Sequence, residues 1–410
     1  MVPQSFYDTV YLLSCAARGT QSKFTHRLNF GEICDIARGQ NITGIIFPEL
    51  KKHTDNADNV SEKICGEIQK QCVQLYSFQY KRSEFMKRLY AEFDRENLAF
   101  CLLKGESVAR FYHEPFLRST ADVDIKIDYK DIGKCADILR KHGYDVLPFH
   151  KGYHHFECMH KVYGCMEVHV AFWLDETNDI CFKDAVKFDD PYVRTEIPSV
   201  GIVNIMGYTD GFVYLIIHFI KHFISSGASI RHLMDIALYA ENCCEHIDEN
   251  RVFEALRSLG FEIFGDYIFY ICAEYLHSDV CKKYVKNSEK ISSDAVGVIF
   301  SDMLEGGIFG HSEKSRGSFY EQYLKLRAKE MGIVRKQYGE TNILKKIFVP
   351  KSHLSGKFLY GRHSLLYPAA VIHRAAYFMN RKIMRKIKKE PDYDREISER
   401  MDTMRKLGLM

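Results

Sequence analysis

The chain has 410 residues, 46% of them hydrophobic and 27% charged, which excludes a collagen, a coiled-coil rod and a disordered tail protein. At roughly 150 residues per domain this length leaves room for two or three domains, each with its own core. With 57 Lys+Arg against 54 Asp+Glu, the net charge of +3 argues against a polyanionic partner, unless a balanced total hides an uneven distribution.

Thirteen cysteines are scattered without a CxxC pair, and the first 19 residues carry Asp8 with no basic start and no apolar run before a cleavage site. The expectation is a cytoplasmic protein with reduced, mostly buried thiols. The longest strongly apolar window, Gly211 to Ile220, contains His218 and is too short for a bilayer.

Residues 1–97 read as a helical region without a catalytic pattern. Ser61 to Tyr76 and Gln79 to Asn97 repeat apolar residues at three- and four-residue spacing, and Gly39 to Val60, with Pro48 and a polar run, reads as loop. At Leu98 the pattern changes to a compact apolar run, Lys104-Gly105, and a short helical stretch from Ser107 to Tyr112. Asp122 to Asp128, DVDIKID, alternates charged residues with Val and Ile, as a strand with one buried face does. Tyr129 to His142 reads as an amphipathic helix ended by Gly143, and Tyr144 to Pro148, Tyr153 to His160 and Cys165 to Trp173 as further strands. Residues 98–200 are therefore an α/β or α+β unit with a mixed sheet, and with the helical parts on either side the expected class is α+β.

Residues 201–344 return to helical periodicity, over Phe212 to Ile224, Ile230 to Glu241, Arg251 to Leu259 and Phe319 to Tyr338, with Gly227, Gly260 and Gly339 at helix ends. Residues 345–410 differ in kind. Between Lys345 and Lys389 stand twelve basic residues and no acidic one, which leaves 45 basic against 54 acidic residues elsewhere. Interleaved with Phe358, Leu365, Leu366, Ile372, Tyr377 and Phe378, this arm suits an anionic membrane surface, a polyanion, or the acidic body of the protein itself.

Asp122 and Asp124 are i and i+2 on a strand, so both carboxylates project from one face. Paired carboxylates repel and favour a hard cation such as Mg2+ or Mn2+. In CMEVHVAFW, Glu167 and His169 share a face; beside the first strand, Glu167 completes a three-carboxylate set for in-line phosphoryl or nucleotidyl displacement. Lys104-Gly105, at a strand-to-helix turn, can hold phosphate oxygens, Arg118 can clamp a phosphate bidentately, and His169 can orient a ligand or touch phosphate. His218 and His222, at i, i+4, offer two imidazoles; a zinc site needs a third ligand, and His232 and Asp235 are the nearest candidates on a second helix. Packing of His218 among Phe212, Leu215 and Phe219 is the simpler reading. Arg231 and Asp235 form an i, i+4 pair. In GYHHFECMH, alternation separates His155 from His154 and His160, so three histidines should not converge there.

The stretch LLKGESVARFYHEPFLRSTADVDIKID, followed by GCMEVHVAFW, resembles a bacterial nucleotidyltransferase-like family of the polymerase-β-type superfamily. Its pattern is Leu-Lys-Gly, then Tyr, Pro and Arg, then Asp-x-Asp, then Glu-x-His. Leu215 to Ala240 and the segment KKIFVPKSHL…SLLYPAAVIHRAAYF extend the resemblance. It implies a nucleotidyltransferase-type mixed sheet with flanking helices. It makes Asp122, Asp124 and Glu167 the metal carboxylates, and Lys104, Gly105, Ser107, Arg118 and His169 the nucleotide contacts, with His222, Arg231 and Asp235 facing substrate. The implied reaction moves an NMP group from an NTP to a hydroxyl acceptor that the residues do not identify. One departure is the turn itself: Gly105 precedes Asp122 by 17 positions, where the superfamily places Gly-Ser or Gly-Gly about a dozen before the acidic pair. Ser107 is the candidate replacement for that serine. The alternatives are a nucleotide-binding protein without turnover and an accessory protein at a membrane surface or in polysaccharide assembly.

Overall fold

The computed structural model describes residues 2–149, 154–172, 186–307, 366–387 and 391–410, with a few positions between 319 and 330. Three helices open the chain: α1 (Gln4–Arg18), α2 (Phe30–Gly39), capped by the Asn29 side chain, and α3 (Thr43–Leu50). The stretch expected as loop is thus largely helical. Pro48 sits inside α3, whose Ile45, Ile46, Phe47 and Leu50 are all buried, so apolar burial outweighs the hydrogen bond that proline removes. Two-residue strands β1 (Leu28–Asn29) and β2 (Ala57–Asp58) pair beside these helices.

The two helical segments expected over 61–97 are one helix, α4 (Glu62–Arg95), 34 residues long and capped by Ser61. No proline or glycine pair interrupts it between Gln69 and Gln79, so nothing breaks its hydrogen bonding. Its second half, through Phe85, Met86, Leu89, Tyr90 and Phe93, covers one face of the main sheet.

That sheet contains β3 (Phe100–Leu102), β4 (Asp122–Ile127), β5 (Tyr144–Val146), β6 (His155–His160), β7 (Gly164–His169), β8 (Val193–Ile197) and β9 (Gly201–Ile205), in the spatial order β5-β6-β7-β4-β3-β9-β8. It is mixed: β4 runs parallel to β7 and β3 parallel to β9, and the remaining neighbours are antiparallel. The β8–β9 hairpin was not read from the sequence, although VRTEI of β8 alternates in burial; β9 exposes Ile202. Helices α5 (Glu106–Ala109) and α6 (Ile132–Lys141) lie between strands, α6 packing Cys135, Ile138 and Leu139 on the face that α4 covers.

Strand alternation then dictates what the opposite face carries. Val123, Ile125 and Ile127 of β4 and Met166 and Val168 of β7 enter the core under α4 and α6. Asp122, Asp124, Glu167 and His169 are therefore turned to the other face. Against that face, Cys101, Leu103 and Met206 pack on Tyr214 of α7 (Tyr208–Ser225).

Beyond α7 come α8 (Ile230–Cys243), α9 (Glu249–Ser258), α10 (Glu262–Glu274) and α11 (Ser293–Gly306); α10 and α11 were not anticipated. These helices share a single hydrophobic core with α1, α2 and α3, joining Phe6, Leu13, Phe30 and Phe47 to Phe219, Ile236, Phe269 and Phe300. The architecture is α+β, a mixed sheet carried by a helical body.

The expected helix at 319–338 falls mostly outside the described residues, as do residues 345–365 of the basic arm. Within the arm, α12 (Tyr367–Ile387) buries Ala370 and leaves Ile372 exposed, and α13 (Pro391–Lys406) returns Met401 and Met404 to the shared core. Among the described residues no helix is long and apolar enough to cross a membrane.

Candidate active site

The register of β4 on β7 decides the site. Parallel pairing sets Asp124 opposite Glu167 and Lys126 opposite His169, so carboxylates from two adjacent strands rise from one patch of sheet. Ligand atoms of Asp124, Glu167 and His169 all lie within 4.8 Å of one another. Asp124 is buried, with 1% of its surface exposed, and its backbone carbonyl is held by the Leu103 N–H at 3.2 Å.

Two basic side chains stand against these carboxylates. His169 Nε2 lies 3.1 Å from Asp124 Oδ1 and 3.5 Å from Glu167 Oε2, and Lys104 Nζ lies 3.4 Å from Asp124 Oδ2. Burial alone would depress the His169 pKa, but its hydrogen bonds to Asp124 and Glu167 outweigh that and raise it. Likewise burial works against the Lys104 ammonium, and Asp124, Tyr214, Asp122 and Glu167 together lift it above its ordinary value. The hydrogen bond from His169 holds Glu167 below the usual carboxylate range, against its own desolvation. The group is thus a tightly connected cluster in which the carboxylates favour the charged forms of His169 and Lys104, buried on the sheet side.

Gly105 follows Lys104 with φ +72° and ψ −108°, a conformation that only glycine adopts without strain. A Cβ there would meet nothing within 4 Å, so backbone conformation, not space, requires the glycine. Ser107 is buried and lines a small apolar cavity with Leu103, Val108, Met206, Leu215 and Tyr239.

Arg118 is placed differently from the expectation of an open clamp. Its Nε and Nη2 donate to Asp235 Oδ1 and Oδ2 at 2.9 and 2.7 Å, and Tyr112 Oη donates to the same carboxylate at 2.7 Å. Both charged side chains are almost fully buried, and Arg118 Nη1 is buried without a hydrogen-bond partner. Asp235 therefore pairs with the segment that leads into β4 and not with Arg231, one turn earlier on its own helix. Arg231 instead donates to the Ser119 carbonyl, while Arg82 and Gln79 of α4 donate to that of Thr120. The loop entering β4 is thereby pinned from two sides.

The histidine pattern also differs. His154 lies just before β6, where strand alternation does not apply, so His154, His155 and His169 come within 4.8 Å at their ligand atoms. On α7 and α8, His218, His222 and His232 meet the same criterion. Burial pushes the His222 pKa down to about 4, Lys104 and Lys221 adding to the effect and Asp122 opposing it. Asp122 thus lies on the side of the sheet that α7 faces.

Two residues of the site escaped the sequence reading. Glu157 of β6 stands directly opposite Glu167, adding a further carboxylate to the sheet, and the period-two pattern of HFECMH was the available signal. Tyr112, which completes the Asp235 contact, is the tyrosine of the Tyr, Pro and Arg pattern, which marked its position without giving it a role.

No curated protein and no solved structure matches the chain. A family model described as Uncharacterised nucleotidyltransferase matches residues 26–277, more than half of the chain, spanning the sheet, its carboxylates and the helices that face them. With Lys104-Gly105, Asp122-x-Asp124 and Glu167-x-His169 gathered on one sheet face within that match, the chain belongs to this uncharacterised nucleotidyltransferase family.

Proposed function

We propose that the protein is a metal-dependent nucleotidyltransferase that moves an NMP group from an NTP to a hydroxyl acceptor. The observation that carries this is the parallel Asp124–Glu167 register, which collects hard oxygen donors beside Lys104 and His169. The donor set fits Mg2+ or Mn2+: Asp122, Asp124 and Glu167 would hold the ion, which supplies positive charge for the reacting phosphate oxygens and the leaving pyrophosphate.

The chain's own residues have separate tasks. Lys104, at the end of β3, binds phosphate oxygens, and the Gly105 turn brings the backbone close to them. His169 holds the orientation of Asp124 and Glu167 through its bifurcated contact. Asp124 accepts the proton of the acceptor hydroxyl as it attacks the α-phosphate. Arg118, locked onto Asp235, fixes the approach to β4 and offers Nη1 to the ligand. His222 and Arg231, on α7 and α8, bound the side of the cleft opposite the sheet. The basic segment 345–389 is suited to hold an anionic acceptor or an anionic membrane surface near this body.

The test is incubation with α-labelled NTPs, Mg2+ and candidate hydroxyl acceptors. Label transfer is expected, falling at least about 100-fold in Asp124→Asn and in Glu167→Gln. Transfer unaffected by both substitutions would place the chemistry elsewhere; nucleotide binding without product in the presence of an accepted hydroxyl compound would make the protein a sensor.

A further inference from the structure

We propose that His218, His222 and His232 form a second metal site, of the three-imidazole type that takes Zn2+, separate from the carboxylate site. His218 and His222 are one turn apart on α7, with ring centroids 4.4 Å apart, and α8 brings His232 to 5.6 Å from the first and 5.2 Å from the second. Their ligand nitrogens lie within 4.8 Å of one another. Tetrahedral zinc, with Zn–N of about 2.0–2.1 Å, needs its nitrogens about 3.3 Å apart, so rotations moving ring tips by at most about 1.5 Å close the site.

One of the three rings is already oriented as a metal ligand is. His222 Nδ1 lies 3.0 Å from Ser226 Oγ, and donating Nδ1–H to that oxygen frees its Nε2 lone pair, the arrangement in which a ligand histidine is fixed by its other nitrogen. His232 Nδ1 accepts from the Ser229 N–H at 3.1 Å in the capping box of α8, so ligation through its Nε2 moves the ring proton to Nδ1, for which the Ser229 carbonyl, 3.2 Å away, is the acceptor. Burial keeps all three imidazoles neutral, which is the form that ligates.

The surroundings define the fourth position. Lys104, Lys221, Arg231 and Arg118 are the positive charges that act on these rings, and Asp122 is a negative charge that acts on His222. Three neutral ligands with cationic neighbours leave a doubly charged ion uncompensated, so its open position suits an ionised water or a phosphate oxygen. The other donor clusters are committed: Asp189, Asp190 and Asp210 close on Arg251, and His154 and His155 lie against His169.

The test uses the full-length protein without nucleotide, titrated with Co2+ as the spectroscopic probe, so it stands or falls apart from nucleotidyl transfer. Tetrahedral nitrogen-ligated Co2+ gives intense visible bands, which six-coordinate oxygen sites do not. The bands are expected in the wild type and in Asp124→Asn, are bleached by Zn2+, and require at least about tenfold more metal in His218→Gln and His222→Gln. Bands absent from the wild type, or unchanged in both glutamine variants, overturn the proposal. X-ray absorption of the wild-type zinc complex decides independently of how the variants fold: three imidazole ligands are expected, and a carboxylate-dominated shell refutes the site.

Discussion

Replacing Asp235 with alanine tests whether α8 and the segment that leads into β4 are joined by a buried charge pair. Asp235 and Arg118 have side-chain exposures of only 5% and 6%, and the carboxylate accepts three hydrogen bonds, two from the guanidinium and one from Tyr112. Truncation leaves a guanidinium inside the protein without its counter-charge, for which about 3–5 kcal/mol is the usual cost. That is a large share of a typical total of about 5–15 kcal/mol. The matched replacement Arg118→Met/Asp235→Leu removes both charges together and should recover all but about 1–2 kcal/mol. Urea unfolding followed by circular dichroism on the wild type, both single variants and the pair completes the cycle. A loss below about 1 kcal/mol in Asp235→Ala, or a double variant as unstable as the summed singles, would refute the reasoning. The double variant is also expected to stay inactive in nucleotidyl transfer, because Arg118 Nη1 is lost with the pair.

Other consequences are more local. Gly105→Ala should lower stability by about 1–3 kcal/mol and reduce kcat/KM, because φ +72° with ψ −108° strains any other residue; unchanged kinetics would show that the turn plays no part in binding phosphate. Gly44→Ala would put a Cβ 2.6 Å from the Leu117 carbonyl oxygen, which can move only with its backbone, so thermal unfolding should register about 1–3 kcal/mol of destabilisation. Asp210 provides a pH dependence: burial, reinforced by Asp190, raises its pKa from 3.8 to about 6, against the hydrogen bond from the Asp190 N–H and the charge of Arg251. A carboxyl raised on folding binds its proton more tightly in the native state, so its contribution is present below pH 3.8 and is lost as pH rises through about 6. Urea midpoints across that window should therefore fall less with rising pH in Asp210→Asn than in the wild type; parallel curves would rule this out.

Local pattern went a long way in this protein. DVDIKID announced its own strand, and period-two alternation was enough to put Asp122 and Asp124 on one face, since neighbouring side chains of a strand must point to opposite sides. The same rule placed Glu167 with His169, and turn chemistry found Gly143, Gly227 and Gly260, all at positive φ. It failed where a local penalty was overruled by packing. Pro48 read as a break, yet α3 forms because its apolar residues are buried by α1 and α4. Helix α10, apolar nearly all round, carried too little periodic contrast to stand out, whereas the alternation of VRTEI in β8 was a signal that went unread.

What a strand or helix presents on each face was decided by the chain itself, through the 2.0- and 3.6-residue periods. What meets across those faces was decided only by the tertiary structure: Asp124 against Glu167, Arg118 on Asp235, and His232 beside His218 and His222. Periodicity is a property of a few consecutive residues. Register and partner choice arise instead from burial shared by segments that lie far apart, as where Arg118 and Asp235, 117 positions from each other, find in one another the only affordable way to be buried.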